Sequence, residues 1–271
     1  MTKRSTILFG LSIIGLFSFG QDDNWDVYMA QYEKGVGSTV INMSLKEDAP
    51  IKLFPYLLKT GVKLINCSKD GLPTKDEFET LYRISNNMKS VIDSNSKNKA
   101  AGTFSYQCDR MDYYYLPDTI GIRKLLELAY QKDFSNYQYS IIIKNDNNWE
   151  AYLTFLYPNE ETYEYMSNEK VIRNLTKEGD DLNKSRQVDH WLYFKTEADR
   201  DIFVAYALKE KYKIENKNFT KDSKLKYQLQ SARLDNVDIA AISKITIELR
   251  KKAKELNGIY DGWETFVVKG K

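Results

Sequence analysis

The 271-residue sequence contains one histidine, His190, and two cysteines, Cys67 and Cys108, so the chemistry open to it is narrow. His190 stands between Asp189 and Trp191, where a neighbouring carboxylate can hold an imidazolium or fix the tautomer of a neutral ring. Any Ser-His-Asp relay would have to run through it. No Gly-x-Ser-x-Gly elbow, Walker loop or strand-following GxGxxG accompanies it. We therefore assign no catalytic residue and read His190 as a satisfied structural histidine. One histidine and no CxxC motif cannot supply the usual zinc ligand sets, so neither metal nor cofactor is implied. Acid pairs such as Asp180-Asp181 and Glu160-Glu161 could serve a hydrolase, but adjacent acids are ordinary in loops and on helix faces.

The candidates for partner contact are Asp180, Asp181, Arg186, Asp189, His190, Asp261 and Trp263. Asp180 and Asp181 follow Gly179 and can accept hydrogen bonds from loop amides or pair with Arg186. In Tyr260-Asp261-Gly262-Trp263 a glycine sits between two aromatics, which predicts a bulge or a close backbone approach. Trp191 and Trp263 are expected to share one core. Strand alternation sends Tyr114 to the face opposite Tyr113 and Tyr115, so at least one of the three is expected on the wetter side. Cys67 and Cys108 close strand-like runs (62–67 and 103–108). Two separate buried thiols are expected, with one disulfide as the alternative in an oxidising compartment.

The elements that carry these residues follow one order twice. A hairpin over 25–32 and 38–45 precedes a strand over 53–66 interrupted at Gly61. Thr74 and Glu77 have capping-box spacing ahead of an apolar stripe running to Asp93. Strands over 100–107 and 111–116, a helix over 119–132 and a strand over 137–144 complete β-α-β-β-α-β from residue 62. After a helix over 160–177, the pattern repeats: strand 190–194, helix 196–211, strands 212–216 and 225–234, helix 238–256 and strand 259–268. The expected fold is α+β, with two ferredoxin-like antiparallel sandwiches in tandem.

Residues 180–194 (Asp-Asp-Leu-Asn-Lys-Ser-Arg-Gln-Val-Asp-His-Trp-Leu-Tyr-Phe) and Tyr260-Asp261-Gly262-Trp263-Glu264 closely resemble the regulator of ribonuclease E activity B, a bacterial family, over about 169–269. That resemblance implies a non-catalytic inhibitor that binds the endoribonuclease and modulates RNA decay in the cytoplasm. Trp25-Asp26-Val27-Tyr28 and the run 148–158 (Asn-Trp-Glu-Ala-Tyr-Leu-Thr-Phe-Leu-Tyr-Pro) resemble a second family, domain of unknown function 695, over about 24–158. It implies no established chemistry.

The N-terminus and the charge distribution qualify the first resemblance. Lys3 and Arg4 precede an apolar run from Ile7 to Phe19, and Ser18-Phe19-Gly20 places small residues before Gln21, which reads as a signal peptide over 1–20. The run is shorter than a spanning helix requires, so no membrane span is expected after cleavage, and the location is periplasmic or secreted. Residues 21–169 carry 16 Lys/Arg against 22 Asp/Glu, whereas residues 170–271 carry 22 against 16, a net +6. The inhibitor that the C-terminal half resembles is strongly acidic. The aromatic motif of RNA-recognition sheets is missing, so the expected partner is protein rather than nucleic acid. The chain is thus read as an exported, non-catalytic binding or regulatory protein with domains over 24–158 and 169–271. The alternatives are a cytoplasmic regulator of ribonuclease E, if the N-terminus is not a signal, and an envelope hydrolase with a site at the domain junction.

Overall fold

The computed structural model describes residues 23–221 and 223–269, so the expected signal peptide over 1–20 lies outside the described residues. The chain divides between Asn159 and Glu160 into two units. Both are mixed α+β, each built on one antiparallel sheet.

In the first unit the order is β1 (Trp25–Tyr32), β2 (Gly35–Asn42), β3 (Tyr56–Lys63), α1 (Phe78–Asn95), β4 (Lys99–Tyr106), β5 (Asp109–Leu116), α2 (Ile122–Asp133) and β6 (Tyr139–Asn145). The sheet order is β1-β2-β4-β5-β3-β6. β3 runs unbroken through Gly61, which pairs with Met111 of β5. Leu81, Ile84, Met88 and Ile92 recur at helical spacing on α1 and meet Leu126 and Tyr130 of α2 over Leu58, Val62, Tyr114 and Leu116 of the sheet. The expected capping box does not form. Thr74 makes no side-chain cap, and the buried Glu77 carboxylate turns away to accept hydrogen bonds from the Ile65 amide at 2.8 Å and from the Asn66 amide. Two backbone donors left by the end of β3 are thereby satisfied.

A short helical turn, Ala151–Leu156, covers part of the opposite sheet face. Asp146 organises it, accepting from the Tyr115 hydroxyl at 2.7 Å and from the Glu150 and Ala151 amides at 2.9 and 3.0 Å. Trp149 stacks on Tyr115 with ring centres 3.9 Å apart. This second layer explains why Tyr113, Tyr114 and Tyr115 are all buried. The expectation of one wetter tyrosine fails because both faces of β5 are covered. Cys67 and Cys108 are joined in a disulfide, where separate thiols were favoured from the sequence. Their two runs converge because the Leu64 amide donates to the Cys108 carbonyl at 2.7 Å.

The second unit contains α3 (Glu160–Lys177), β7 (Arg186–Phe194), α4 (Glu197–Lys209), β8 (Lys213–Phe219), β9 (Tyr227–Asp235), α5 (Ile239–Glu255) and β10 (Gly258–Thr265). The strand order is β10-β7-β9-β8. Thr196 and Asp238 cap α4 and α5 through side-chain oxygens. One group of buried side chains joins Leu192, Phe194, Phe203, Leu229 and Leu249. A second joins Leu175, Val188, Val237, Ile242 and Trp263. α3 lies against α5, where the buried Glu164 carboxylate accepts from Arg250 Nε at 2.5 Å.

Candidate binding surface

β7 sets the geometry. Arg186, Val188, His190, Leu192 and Phe194 are buried, and the intervening Gln187, Asp189, Trp191 and Tyr193 are only half-buried on the other face of the sheet. β10 pairs with it through a register shift: Tyr260 opposes Leu192, Gly262 opposes Trp191 and Trp263 opposes His190, leaving Asp261 as the extra residue. Without that extra residue, strict alternation would turn Trp263 outward. With it, Tyr260 and Trp263, three positions apart, both enter the core. The expected bulge is present, but the two tryptophans do not share a core. Trp263 is buried beneath the helices, and Trp191 lies on the opposite face.

Gly262 has φ +150, and a methyl group built on it would meet no atom within 4 Å. The cross-strand neighbour of Trp191 therefore presents no side chain, and the indole borders an open notch. Beside it lie Tyr193 and Ile259, a register pair, with Ile259 47% exposed. Amides from two strands order the adjoining polar surface. Gln187 Nε2 and Gln230 Nε2 each donate to Asp189 at 3.1 Å, and Gln228 Nε2 donates to the Tyr193 hydroxyl at 3.0 Å. Asp261 is exposed at the bulge. The result is an aromatic and aliphatic strip edged by carboxylates and amides on a rigid sheet, a composition suited to a protein interface.

The other sequence candidates, apart from the half-buried Asp181, take internal places. Alternation separates Asp189 from His190, so the carboxylate beside it in sequence neither holds nor orients the ring. His190 is fully buried, with Nδ1 2.9 Å from the Tyr260 hydroxyl. Burial, with a smaller contribution from the nearby positive Arg233, pushes its pKa down to about 3 and keeps the ring neutral. Asp180 and Arg186 form a buried ion pair. Arg186 also donates to the carbonyls of Asp181 and Lys184, and Asp180 Oδ2 accepts from the Val268 amide at 2.8 Å. These groups close the loop between α3 and β7 and have no surface to offer a partner. Asp181 is half-buried, and its amide donates to the Val268 carbonyl at 2.8 Å. Trp263 Nε1 donates to Asn168 Oδ1 at 2.7 Å. Of the seven candidates, the structure brings Asp189 and Asp261 to the surface around Trp191.

Sequence reasoning missed Tyr193, Gln228 and Gln230 as surface groups and misplaced Trp191. The available signal was the alternation beginning at Arg186, four residues ahead of the expected strand start. Among the described residues no cluster of three or more His, Cys, Asp or Glu is arranged to hold a metal ion, and no helix is long and apolar enough to cross a membrane.

No curated protein matches the chain. A crystal structure of an unknown protein from Galdieria sulphuraria aligns with 79% of this chain and 97% of its own, at 10% identity and a TM-score of 0.22. Residues 23–157 match a family of unknown function, DUF695, and residues 166–265 match the family described as Regulator of ribonuclease activity B.

Proposed function

We propose that the chain is an exported, non-catalytic binding protein whose C-terminal unit engages a protein partner through the β7–β10 face. The observation that carries this reading is the position of Trp191 beside the open space over Gly262, on a face stabilised by its own amide network. A large aromatic left half-buried in this way is a typical anchor for a partner's apolar group. The match to a ribonuclease-regulator family supports a regulatory binding role. Export rests on residues 1–20. Both units read as ferredoxin-like sandwiches: β7-α4-β8-β9-α5-β10 and β3-α1-β4-β5-α2-β6 share one element order, and within each sheet the last strand neighbours the first.

The test is in-cell photo-crosslinking from position 230 in the native host, with N-terminal sequencing of the recovered chain. A chain beginning at Gln21, joined to a protein whose adduct disappears in Trp191→Ala, is the expected result. A chain with residues 1–20 intact in the cytosol overturns export, and an adduct indifferent to Trp191→Ala overturns the assignment of this face.

A further inference from the structure

The first unit carries a second surface, independent of the β7–β10 face. At the end of the sheet where β1 turns into β2 and β4 turns into β5, a shallow groove of about 480 Å³ is lined by Glu33, Lys34, Phe104, Tyr106, Asp109 and their neighbours. That volume falls within the range of about 300–1,000 Å³ common to small-molecule sites.

Phe104 and Tyr106 form the floor, an aromatic shelf with ring centres 5.8 Å apart and planes 28° from parallel. Tyr32 stands steeply against both, its plane 69° from Phe104 and 57° from Tyr106. Gly37 makes this packing possible, because a Cβ there would lie 2.7 Å from the Tyr32 ring and 2.8 Å from that of Phe104. Phe155, 41% exposed, packs edge-to-face against Phe104, with ring centres 4.9 Å apart and planes 80° apart.

The surrounding loops are fastened to one another. The Lys34 amide donates to the Tyr106 hydroxyl at 3.0 Å, and Gln107 Nε2 donates to the Lys34 carbonyl at 2.6 Å. The Cys108 amide donates to the Gly71 carbonyl at 2.9 Å, and the Cys67–Cys108 disulfide ties the same turn to the segment after β3. A shelf held this firmly binds without first ordering its own loops.

We propose that this groove is a binding site for a neutral saccharide. The C–H face of a pyranose ring is apolar and flat, and its edge carries hydroxyls. The shelf offers the complement, two half-buried aromatic rings flanked by the exposed Glu33 and Asp109. Neither carboxylate forms a side-chain hydrogen bond or ion pair with a described residue, so both remain open to accept from sugar hydroxyls. Tyr106 receives the Lys34 amide on its oxygen and keeps its own O–H to donate. Charge selects among saccharides: with two acids and one lysine the rim is net negative, which disfavours phosphorylated or uronate-bearing glycans. The openness of the groove suits a segment of chain lying across the surface rather than an enclosed small molecule.

The test is calorimetric titration of the purified protein with defined neutral tetrasaccharides: α-1,4- and β-1,4-linked glucose, β-1,4-linked N-acetylglucosamine, xylose and mannose. At least one is expected to bind, with Tyr106→Ala and Asp109→Asn each weakening it by about tenfold or more. Trp191→Ala, which lies in the other unit, leaves this binding unchanged, so failure here is separable from failure of the protein-partner reading. If Tyr106→Ala lowers the thermal midpoint, the surface-only Asp109→Asn decides. Absence of binding by all five at millimolar concentration overturns the proposal, as does binding unaffected by both variants. Selective binding of an acidic glycan or a peptide at the groove overturns it equally.

Discussion

Trp263 Nε1 donates to Asn168 Oδ1 at 2.7 Å, joining the last strand of the chain to α3, and Asn168 Nδ2 in turn donates to Ser243 and Thr246 of α5 at 3.1 and 2.9 Å. α3 is therefore part of the C-terminal core. A fragment beginning at Glu160 should unfold cooperatively, whereas one beginning at 169 loses Asn168 and the Glu164–Arg250 pair and leaves buried donors unsatisfied, at about 1–3 kcal/mol for each orphaned group. Urea denaturation of the two fragments decides it, and equal midpoints would remove α3 from the folding unit.

The two tryptophans should separate in mutagenesis. Trp263→Ala opens a cavity in the core and is expected to cost about 3–5 kcal/mol. Trp191→Ala removes a half-exposed ring and should cost about 1 kcal/mol or less. Equal losses in denaturant midpoint at the two sites would contradict their placement on opposite faces.

The element order was legible in the sequence because it rests on local signals. Thr196 and Asp238 cap their helices as their types predict, and the apolar spacing of α1 survives in the packed core. What was not legible depends on registers and layers. A single bulge at Asp261 reverses the side on which Trp263 emerges, and nothing in the local pattern identifies which residue is extra. Tyr113-Tyr114-Tyr115 looked half-wet because alternation describes one strand, whereas Trp149 and Tyr152 cover its second face from about forty residues away in sequence. Glu77 had capping-box spacing, but the strand end at Ile65 and Asn66 competed for its carboxylate. The groove of the first unit combines β1, β4 and β5 residues that share no motif, so only the sheet order places them together.

His190 gives the C-terminal unit an acid-sensitive limb. Its folded pKa, pushed down to about 3, lies below the unfolded value of about 6.5, so the unfolded chain binds the proton first as pH falls. The contribution of the neutral ring is complete above about pH 6.5 and diminishes below it, by roughly 1 kcal/mol per pH unit. His190→Gln should flatten the decline in stability between about pH 6.5 and pH 5, above the range where ordinary carboxylates titrate. Parallel pH profiles for the two proteins would show that another group controls this limb.

The Cys67–Cys108 disulfide closes a loop with a sequence separation of 41 residues. Chain-entropy reasoning gives about 4 kcal/mol for a loop of this length, an upper figure because the unfolded chain retains structure. The Cys67→Ser/Cys108→Ser protein should unfold at lower denaturant, and reduction of the natural protein should reproduce the shift. Coincident curves for oxidised, reduced and substituted proteins would show that the bond contributes nothing to stability.

The last prediction concerns the nuclease itself: residues 160–271 should not inhibit ribonuclease E, although 166–265 match a ribonuclease-regulator family. Residues 170–271 carry a net charge of +6, where the inhibitor resembled is acidic, so any electrostatic complementarity that serves an acidic inhibitor is reversed here. Asp180, Arg186, His190 and Trp263 of these motifs turn their side chains inward and maintain the fold, so their presence transmits shape without transmitting a contact surface. The measurement is RNA cleavage by the purified nuclease with this fragment at low and at physiological salt. A basic domain can coat RNA and imitate inhibition at low salt, an effect that physiological salt weakens steeply. Inhibition that persists at physiological salt, together with direct binding to the nuclease in the absence of RNA, would establish that the regulatory activity is retained, and export would then be the proposal to abandon.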